Sequence, residues 1–289
     1  MGMKIKTVSR LALIFISFTV LLATGPESLT YPADVPMISL SGAGAADGSS
    51  PHINPAAMLS EELNPGIAFS NNNWYSTISG VNISYIEKNK FPLMVYVSNW
   101  DTGDIDQYGE IPNDDPIGSV SLHWASAGLG TAFNMKGWNW GTVVKAHFSR
   151  MAIESITGVT IDSGIQRDLN ESLAMGLSLR NLGFLDSGSL DVDLPIIFTG
   201  GIRYIEPVLQ SSLMLDIQIR DESTSVHTAI EKDFFGARIM TGGEFSDSKQ
   251  QFSVGFETDL GHWSFGAGFA FHENSILGTP VYLSIRRNL

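Results

Sequence analysis

The chain contains no cysteine, which excludes disulfide scaffolds, thiol catalysis, zinc–thiolate sites and lipid attachment through a cysteine. Charge is scarce: only 16% of the 289 residues are Asp, Glu, Lys or Arg, against roughly 25% in an ordinary soluble domain. Positive charge is scarcer still. Seventeen Lys and Arg against 30 Asp and Glu give a formal net charge of −13, with no basic stripe to follow a phosphate backbone, so no nucleic-acid partner is expected. Beyond the N-terminal region no stretch approaches the roughly 18 uninterrupted apolar residues of a membrane helix. What is present is 43% hydrophobic residues, 29 glycines and 10% aromatics, at a mean hydropathy of +0.08. That composition excludes intrinsic disorder. It is too apolar for a typical soluble enzyme and too polar for a helical membrane bundle.

The N-terminus speaks to compartment. Lys4, Lys6 and Arg10 precede an uncharged apolar run, Leu11–Ala23, with no acid before it. A basic start followed by an apolar core of this length reads as a secretory signal peptide over residues 1–23, since an ordinary spanning helix needs about 20 residues. The alternative is an N-terminal anchor that stays in place. No good small-x-small triplet marks the cleavage point. Residues 24–65 are different in kind: Ser41–Met58 is rich in Gly, Ala, Ser and Pro, and Gly42, Gly44 and Gly48 oppose a continuous helix or strand. Asn54-Pro55 marks a turn from which Ala56–Leu63 can enter a short helix. Composition leaves this segment either a linker or a folded-in plug.

From Gly66 onward the period is two. Leu213, Leu215, Ile217 and Ile219 alternate with Met214, Asp216, Gln218 and Arg220, and Phe252, Val254 and Phe256 alternate with Ser253, Gly255 and Glu257. Candidate strands fall near 66–75, 77–86, 91–100, 118–126, 140–150, 157–167, 172–182, 196–205, 211–220, 224–235, 236–245, 251–259, 262–272 and 279–288, with long connections at 101–117 and 183–195. An even number of strands of about ten residues, in an exported chain, predicts an all-β fold: a transmembrane antiparallel β-barrel of 14 strands over 66–289, in the bacterial outer membrane and in contact with its lipid. The competing fold is an exported β-sandwich, but its polar faces should carry Lys, Glu and Thr rather than Gly, Ser and Ala. Phe256 and Phe269 are expected to face lipid. Trp74, Tyr75, Trp100, Trp124, Trp138, Trp140 and Trp263 lie near strand ends, where aromatic girdles belong. The last strand ends in Leu289 rather than an aromatic, with Tyr282 the nearest substitute.

Catalytic patterns are missing. No two of the six histidines lie at i, i+4, and no G-x-S-x-G elbow occurs, so neither an enzyme nor a cofactor is expected. Within the acidic stretch, Asp104, Asp106 and Asp115 match positions one, three and twelve of a calcium loop, without the terminal Glu or flanking helices; a weak Ca²⁺ site and a solvated acidic loop are the alternatives. Lys145, Asp162, Arg167, Arg180, Arg203 and Arg220 are candidate lumen charges, the alternative being rim positions with separate counter-ions. Gly128-x-Gly130 and Gly266-x-Gly268 read as small lumen-facing or bend positions.

Five segments, in order, resemble the PorV/PorQ family of outer-membrane barrels, relatives of the FadL fatty-acid channels. Ile53–Met58 resembles its Asn-Pro-Ala element, here Asn54, Pro55 and Ala56. Gly103–Gly109 resembles its acidic turn, and Gly141–Arg150 its following strand, with Lys145 in the lysine position. Gly158–Gly164 resembles G-x-A-x-D-x-G with Asp162 as the acid, and Gly176–Gly183 resembles G-L-x-L-K-N-x-G with Arg180 replacing lysine. The short chain favours the PorQ-like branch. The resemblance implies a FadL-like barrel with a hatch motif at Asn54–Ala56 and the N-terminal segment near or in the lumen. It further implies a membrane-embedded role in type IX-like protein secretion, with secretion or surface-attachment proteins as partners. The alternative it carries is a channel for long-chain fatty acids or other hydrophobic small molecules.

Overall fold

The computed structural model describes residues 27–74, 78–107, 115–151, 154–186, 188, 193–247, 249–272 and 278–289. The signal peptide expected over 1–23 and the girdle residue Tyr75 lie outside these.

Among the described residues sixteen strands follow in chain order: β1 (Gly66–Asn73), β2 (Ser79–Glu87), β3 (Leu93–Asp101), β4 (Ile105–Gln107), β5 (Gly118–Val120), β6 (Leu122–Met135), β7 (Trp138–Met151), β8 (Glu154–Asp168), β9 (Leu173–Asp186), β10 (Ile197–Glu206), β11 (Ser211–Arg220), β12 (Ser223–Phe234), β13 (Ala237–Phe245), β14 (Gln250–Leu260), β15 (Trp263–His272) and β16 (Val281–Asn288). Fourteen of them close into a barrel, each antiparallel to its sequence neighbour, with β3 pairing β6 and β16 returning to β1. Closure is in full register from Gly66↔Asn288 to Asn73↔Val281, which removes the sheet edges that lipid would not tolerate. β4 and β5 form a separate hairpin in the loop between β3 and β6.

The barrel is apolar outside and small or polar inside. Ile83, Val97, Leu129, Phe148, Ile217 and Phe252 are each at least half exposed on the outer wall, while Ser98, Ser126, Ser178, Thr199 and Ser253 are buried in the lumen. A sandwich would bury that apolar row between two sheets; here it faces outward, as lipid contact requires. Phe256 is exposed and Phe269 half-buried on this same outer row.

One end of the barrel has short turns and both barrel termini. Two of its hairpins turn on Lys136-Gly137 and Phe235-Gly236, with φ of 55° and 78°, and of 49° and 82°. Paired positive φ is the turn geometry that matches strand twist. The other end carries the longer connections, including 102–121 and 187–196. In outer-membrane barrels short turns are periplasmic and long loops extracellular.

Two expectations shift. The segment predicted at 118–126 divides between β5 of the separate hairpin (Gly118–Val120) and the start of the barrel strand β6, which begins at Leu122 and continues to Met135. Ala127, Gly128, Gly130 and Ala132 give too little contrast between faces to extend the pattern. The aromatic girdle is only partly real. Trp138, Trp140 and Trp263 lie on the outer wall at the turn end, whereas Trp74, Trp100 and Trp124 are buried inside the barrel.

Candidate functional site: a plugged lumen

Residues 27–65 run through the barrel from the loop end to the turn end. Glu27 meets Arg220, at the loop end of β11, at 2.5 Å, and Leu289 N–H donates to the carbonyl of Pro65 at 3.2 Å at the opposite end. Between them the chain makes only short helical pieces. Asp34 caps α1 (Val35–Ser39) by accepting from Met37 N–H at 2.9 Å, and proline occupies an N-terminal position of the helix. Asn54 does the same for the 3₁₀ turn Pro55–Leu59, accepting from Ala56 N–H at 3.0 Å. Its amide nitrogen also donates to the carbonyls of Ala45, Ile165 and Leu177, at 2.6, 3.2 and 3.2 Å. The Asn54-Pro55-Ala56 element thus joins the plug to β8 and β9.

Wall and plug approach to backbone contact. A Cβ on Gly176 would lie 1.8 Å from the carbonyl oxygen of Ala45, and one on Gly141 would lie 2.2 Å from the carbonyl carbon of Pro55. Glycine is required there because any side chain would occupy space the plug backbone fills. Gly268 meets the Ile38 side chain in the same manner, while Gly128 and Gly130 accommodate Tyr96 and Val143 of the wall. Buried wall side chains then satisfy the plug's polar backbone. Both Gly44 and Ala45 N–H donate to Asp216 Oδ2 at 2.8 Å, Gln166 donates to the carbonyls of Ala45 and Asp47, and His227 Nδ1 lies 2.6 Å from the carbonyl of Ser41. Tyr282 O–H donates to the carbonyl of Pro32 at 2.8 Å. Sequence reading placed Asp216 and Gln166 on strands without assigning them a role. The signal for Asp216 is an acid on the small-residue face of a strand.

The candidate lumen charges divide. Lys145, Asp162 and Arg180 are buried inside. Lys145 Nζ is 2.7 Å from Asp162 and 2.5 Å from Asn181 Oδ1, while Asp162 accepts from Asn181 N–H at 2.8 Å. This group sits where the β8–β9 register shifts, with Arg180 and Asn181 both turned inward and Asn181 at φ 62°. It staples a β-bulge. Arg180 reaches the carbonyl of His52 and Gln218 of β11. Arg203 faces Glu62, Asp47 and Asp168 at the turn end, and Arg220 pairs with Glu27 and Asp221 at the loop end. Arg167 is not a lumen charge. It shares the outward parity of Ile161 and Ile165, is exposed, and lies over the Trp138 ring at 5.2 Å, an interfacial arrangement.

Of the two alternatives for the acidic stretch, the described residues show no gathering of its three candidate calcium ligands. Asp104 and Asp106 lie at the start of the extended β4–β5 hairpin, where Asp106 pairs with Ser119, and among the described residues Asp104, Asp106 and Asp115 form no converging set. The carboxylates that converge are Asp47, Glu62 and Glu231. Beside them a polar cavity of about 370 Å³ is lined by Ser49, Glu62, Arg238, Glu257, Asp259 and Arg286, among others.

At the loop end the lumen is aromatic. Tyr31 packs on Trp74 and Trp100, with ring centroids 5.4 and 4.9 Å apart, and these join Trp124, Ile38 and Tyr282 in one apolar cluster. Ser126 and His147 make a 2.7 Å contact beneath Trp124, but the other ring nitrogen of His147 meets Thr160 rather than a carboxylate. The pair therefore lacks the orienting acid of a nucleophilic triad.

No family model and no curated protein matches the chain. Solved structures do. The toluene transporter TodX of Pseudomonas putida superposes with a TM-score of 0.65 at 11% identity, over 93% of this chain and 100% of TodX. A TodX deletion mutant, described as a monoaromatic hydrocarbon channel, gives 0.62 at 11% identity over 90% and 99%. The toluene transporter TbuX of Ralstonia pickettii gives 0.59 at 11% identity over 89% and 98%. At such identity the likeness establishes architecture: the chain is a closed, 14-stranded, antiparallel β-barrel of the bacterial outer membrane, built as TodX is.

Proposed function

We propose that the protein is a plugged channel that admits a small hydrophobic molecule at the extracellular mouth. The observation that carries this is the inward placement of Trp74, Trp100 and Trp124, with Tyr31 of the plug packed on the first two. A pore for water and ions lines its mouth with polar groups, whereas this one is lined with flat apolar rings that would suit an aromatic or acyl ligand once Tyr31 of the plug withdraws from them. The described transport of toluene by TodX and TbuX supports the same reading. The hatch segment fits a channel that releases its ligand only after the plug yields.

Secretion or surface attachment is the second reading. Several residues that carry the PorV/PorQ resemblance, Asn54, Lys145, Asp162 and Asn181, serve plug attachment and the β8–β9 bulge. They favour a shared way of building the barrel more than an outward docking surface.

The experiment is quenching of tryptophan fluorescence by brominated aromatic and brominated fatty-acid probes added to the purified barrel in detergent. Saturable quenching that falls at least threefold in Trp100→Ala supports the channel. Unsaturable quenching, identical in the variant, overturns it. Stoichiometric recovery of secretion or attachment proteins from native membranes would then favour the second reading.

A further inference from the structure

At the turn end, Asp47 and Glu62 of the plug and Glu231 of β12 each bring a carboxylate oxygen to within 4.8 Å of the others. Each carboxylate has one oxygen engaged or facing a base. Asp47 Oδ2 accepts from Ser49 N–H at 2.9 Å, Glu62 Oε1 takes Arg203 Nη1 at 2.5 Å, and Glu231 Oε1 lies 3.6 Å from Arg238 Nε. The three remaining oxygens, Asp47 Oδ1, Glu62 Oε2 and Glu231 Oε2, are buried and accept no hydrogen bond. Asp47 Oδ1 has Arg203 at 3.6 Å, too long for one. Asp47 is 1% exposed and Glu231 7%, so neither carboxylate recovers its hydration from bulk water. The hydroxyl of Ser49 is likewise buried without a partner, and Ser49 and Glu62 both line the 370 Å³ cavity.

Charge does not balance at this point. Within 4 Å the three carboxylates face two guanidinium groups, Arg203 and Arg238, while the Lys88 ammonium acts on Glu62 from farther away. Those two arginines are shared with Asp168 and Asp233, whose side chains are 72% and 83% exposed. Surplus negative charge with orphaned oxygens is costly inside a protein unless a cation compensates it.

We propose that Asp47, Glu62 and Glu231 bind a divalent cation, Ca²⁺, that ties the plug to the barrel wall. The donor set is all carboxylate, without imidazole or thiolate, which selects a hard cation. An irregular set of three protein oxygens beside a polar cavity suits Ca²⁺, which takes six to eight ligands in flexible geometry and fills vacant positions with water. The ion bridges two segments far apart in sequence, so it stabilises the plugged barrel over any form in which the plug has withdrawn. This site is independent of the ligand the mouth accepts.

The test is thermal unfolding of the purified full chain in detergent, stripped with EDTA and then titrated with CaCl₂ alone. Wild type should gain about 5 °C at saturation, with half the effect on the order of 0.1–1 mM. Glu231→Gln should unfold at a higher temperature than wild type in EDTA, because it removes surplus charge, and should lose the Ca²⁺ response. The double variant Asp104→Asn, Asp106→Asn should keep the response, which separates this site from the acidic loop. No response in wild type, or one that survives Glu231→Gln, overturns the proposal. If Glu231→Gln fails to assemble, radioactive ⁴⁵Ca²⁺ binding to wild type decides: one ion per barrel at this affinity supports the site, and none sinks it.

Discussion

A single carboxylate, Asp216, shows how the lumen wall replaces water for a segment with little secondary structure of its own. Gly44 and Ala45 present adjacent N–H groups that no helix or strand satisfies, and one oxygen of Asp216 accepts both at 2.8 Å. Truncation would leave two buried donors unpaired, each costing about 1–3 kcal/mol. Asp216→Ala should therefore weaken plug attachment by about 3 kcal/mol, while Asp216→Asn, which keeps an acceptor oxygen, should lose less. Limited proteolysis of the intact barrel checks this. Cleavage between residues 40 and 50 should accelerate at least tenfold in the alanine variant, and an unchanged rate would mean that the contact does not hold the plug.

Among the elements, the strands that meet the plug are distinguished by glycine at the point of approach. β9 illustrates it: Gly176 stands where a Cβ would fall 1.8 Å from the carbonyl oxygen of Ala45. The outer face of β9 is unaffected by that position, so Gly176→Val should leave the barrel assembled while displacing the plug. Single-channel recordings in planar bilayers should show larger or more frequent openings than wild type. Currents identical to wild type would mean that the plug accommodates the side chain without moving. A second feature of β9 is the bulge at Arg180-Asn181, where the extra residue turns Asn181 inward to meet both Lys145 and Asp162. The sequence pattern contained Lys145, Asp162 and Arg180 as inward charges, but not the register shift that brings Asn181 to them. A bulge costs one residue of register and leaves no composition signal at this position.

At the scale of the whole molecule, the barrel is stable only with its apolar surface in lipid. Phe256 and Phe269 stand on that surface, on neighbouring strands β14 and β15. Placing arginine at either position should cost about 2–4 kcal/mol at the bilayer midplane. The measurable outcome is loss of the heat-modifiable folded band in outer-membrane fractions of cells expressing Phe256→Arg or Phe269→Arg. Full recovery of that band would show that these residues do not contact hydrocarbon. The plug adds a second layer of stability from within, because its α1 helix and 3₁₀ turn carry the lumen's apolar residues, Val35, Ile38 and Met58 among them.

The barrel itself was written in the sequence, since period-two alternation states which face of each strand is wet and which is apolar, and fourteen such strands of spanning length leave few architectures. Parity also carried information that position near a strand end did not. Trp100 shares a face with Ser98 and Trp124 with Ser126 and Gly128, which already placed both rings in the lumen, and Arg167 shares the outward face of Ile161 and Ile165. Tertiary structure alone decided whether residues 27–65 were a linker or a plug, because a Gly-, Ala- and Ser-rich segment has no preferred conformation until a wall supplies its hydrogen-bond partners. It alone also brought Asp47 and Glu62 to Glu231. Those three residues belong to the plug and to a strand far along the chain, and only threading the plug through a closed barrel makes them neighbours.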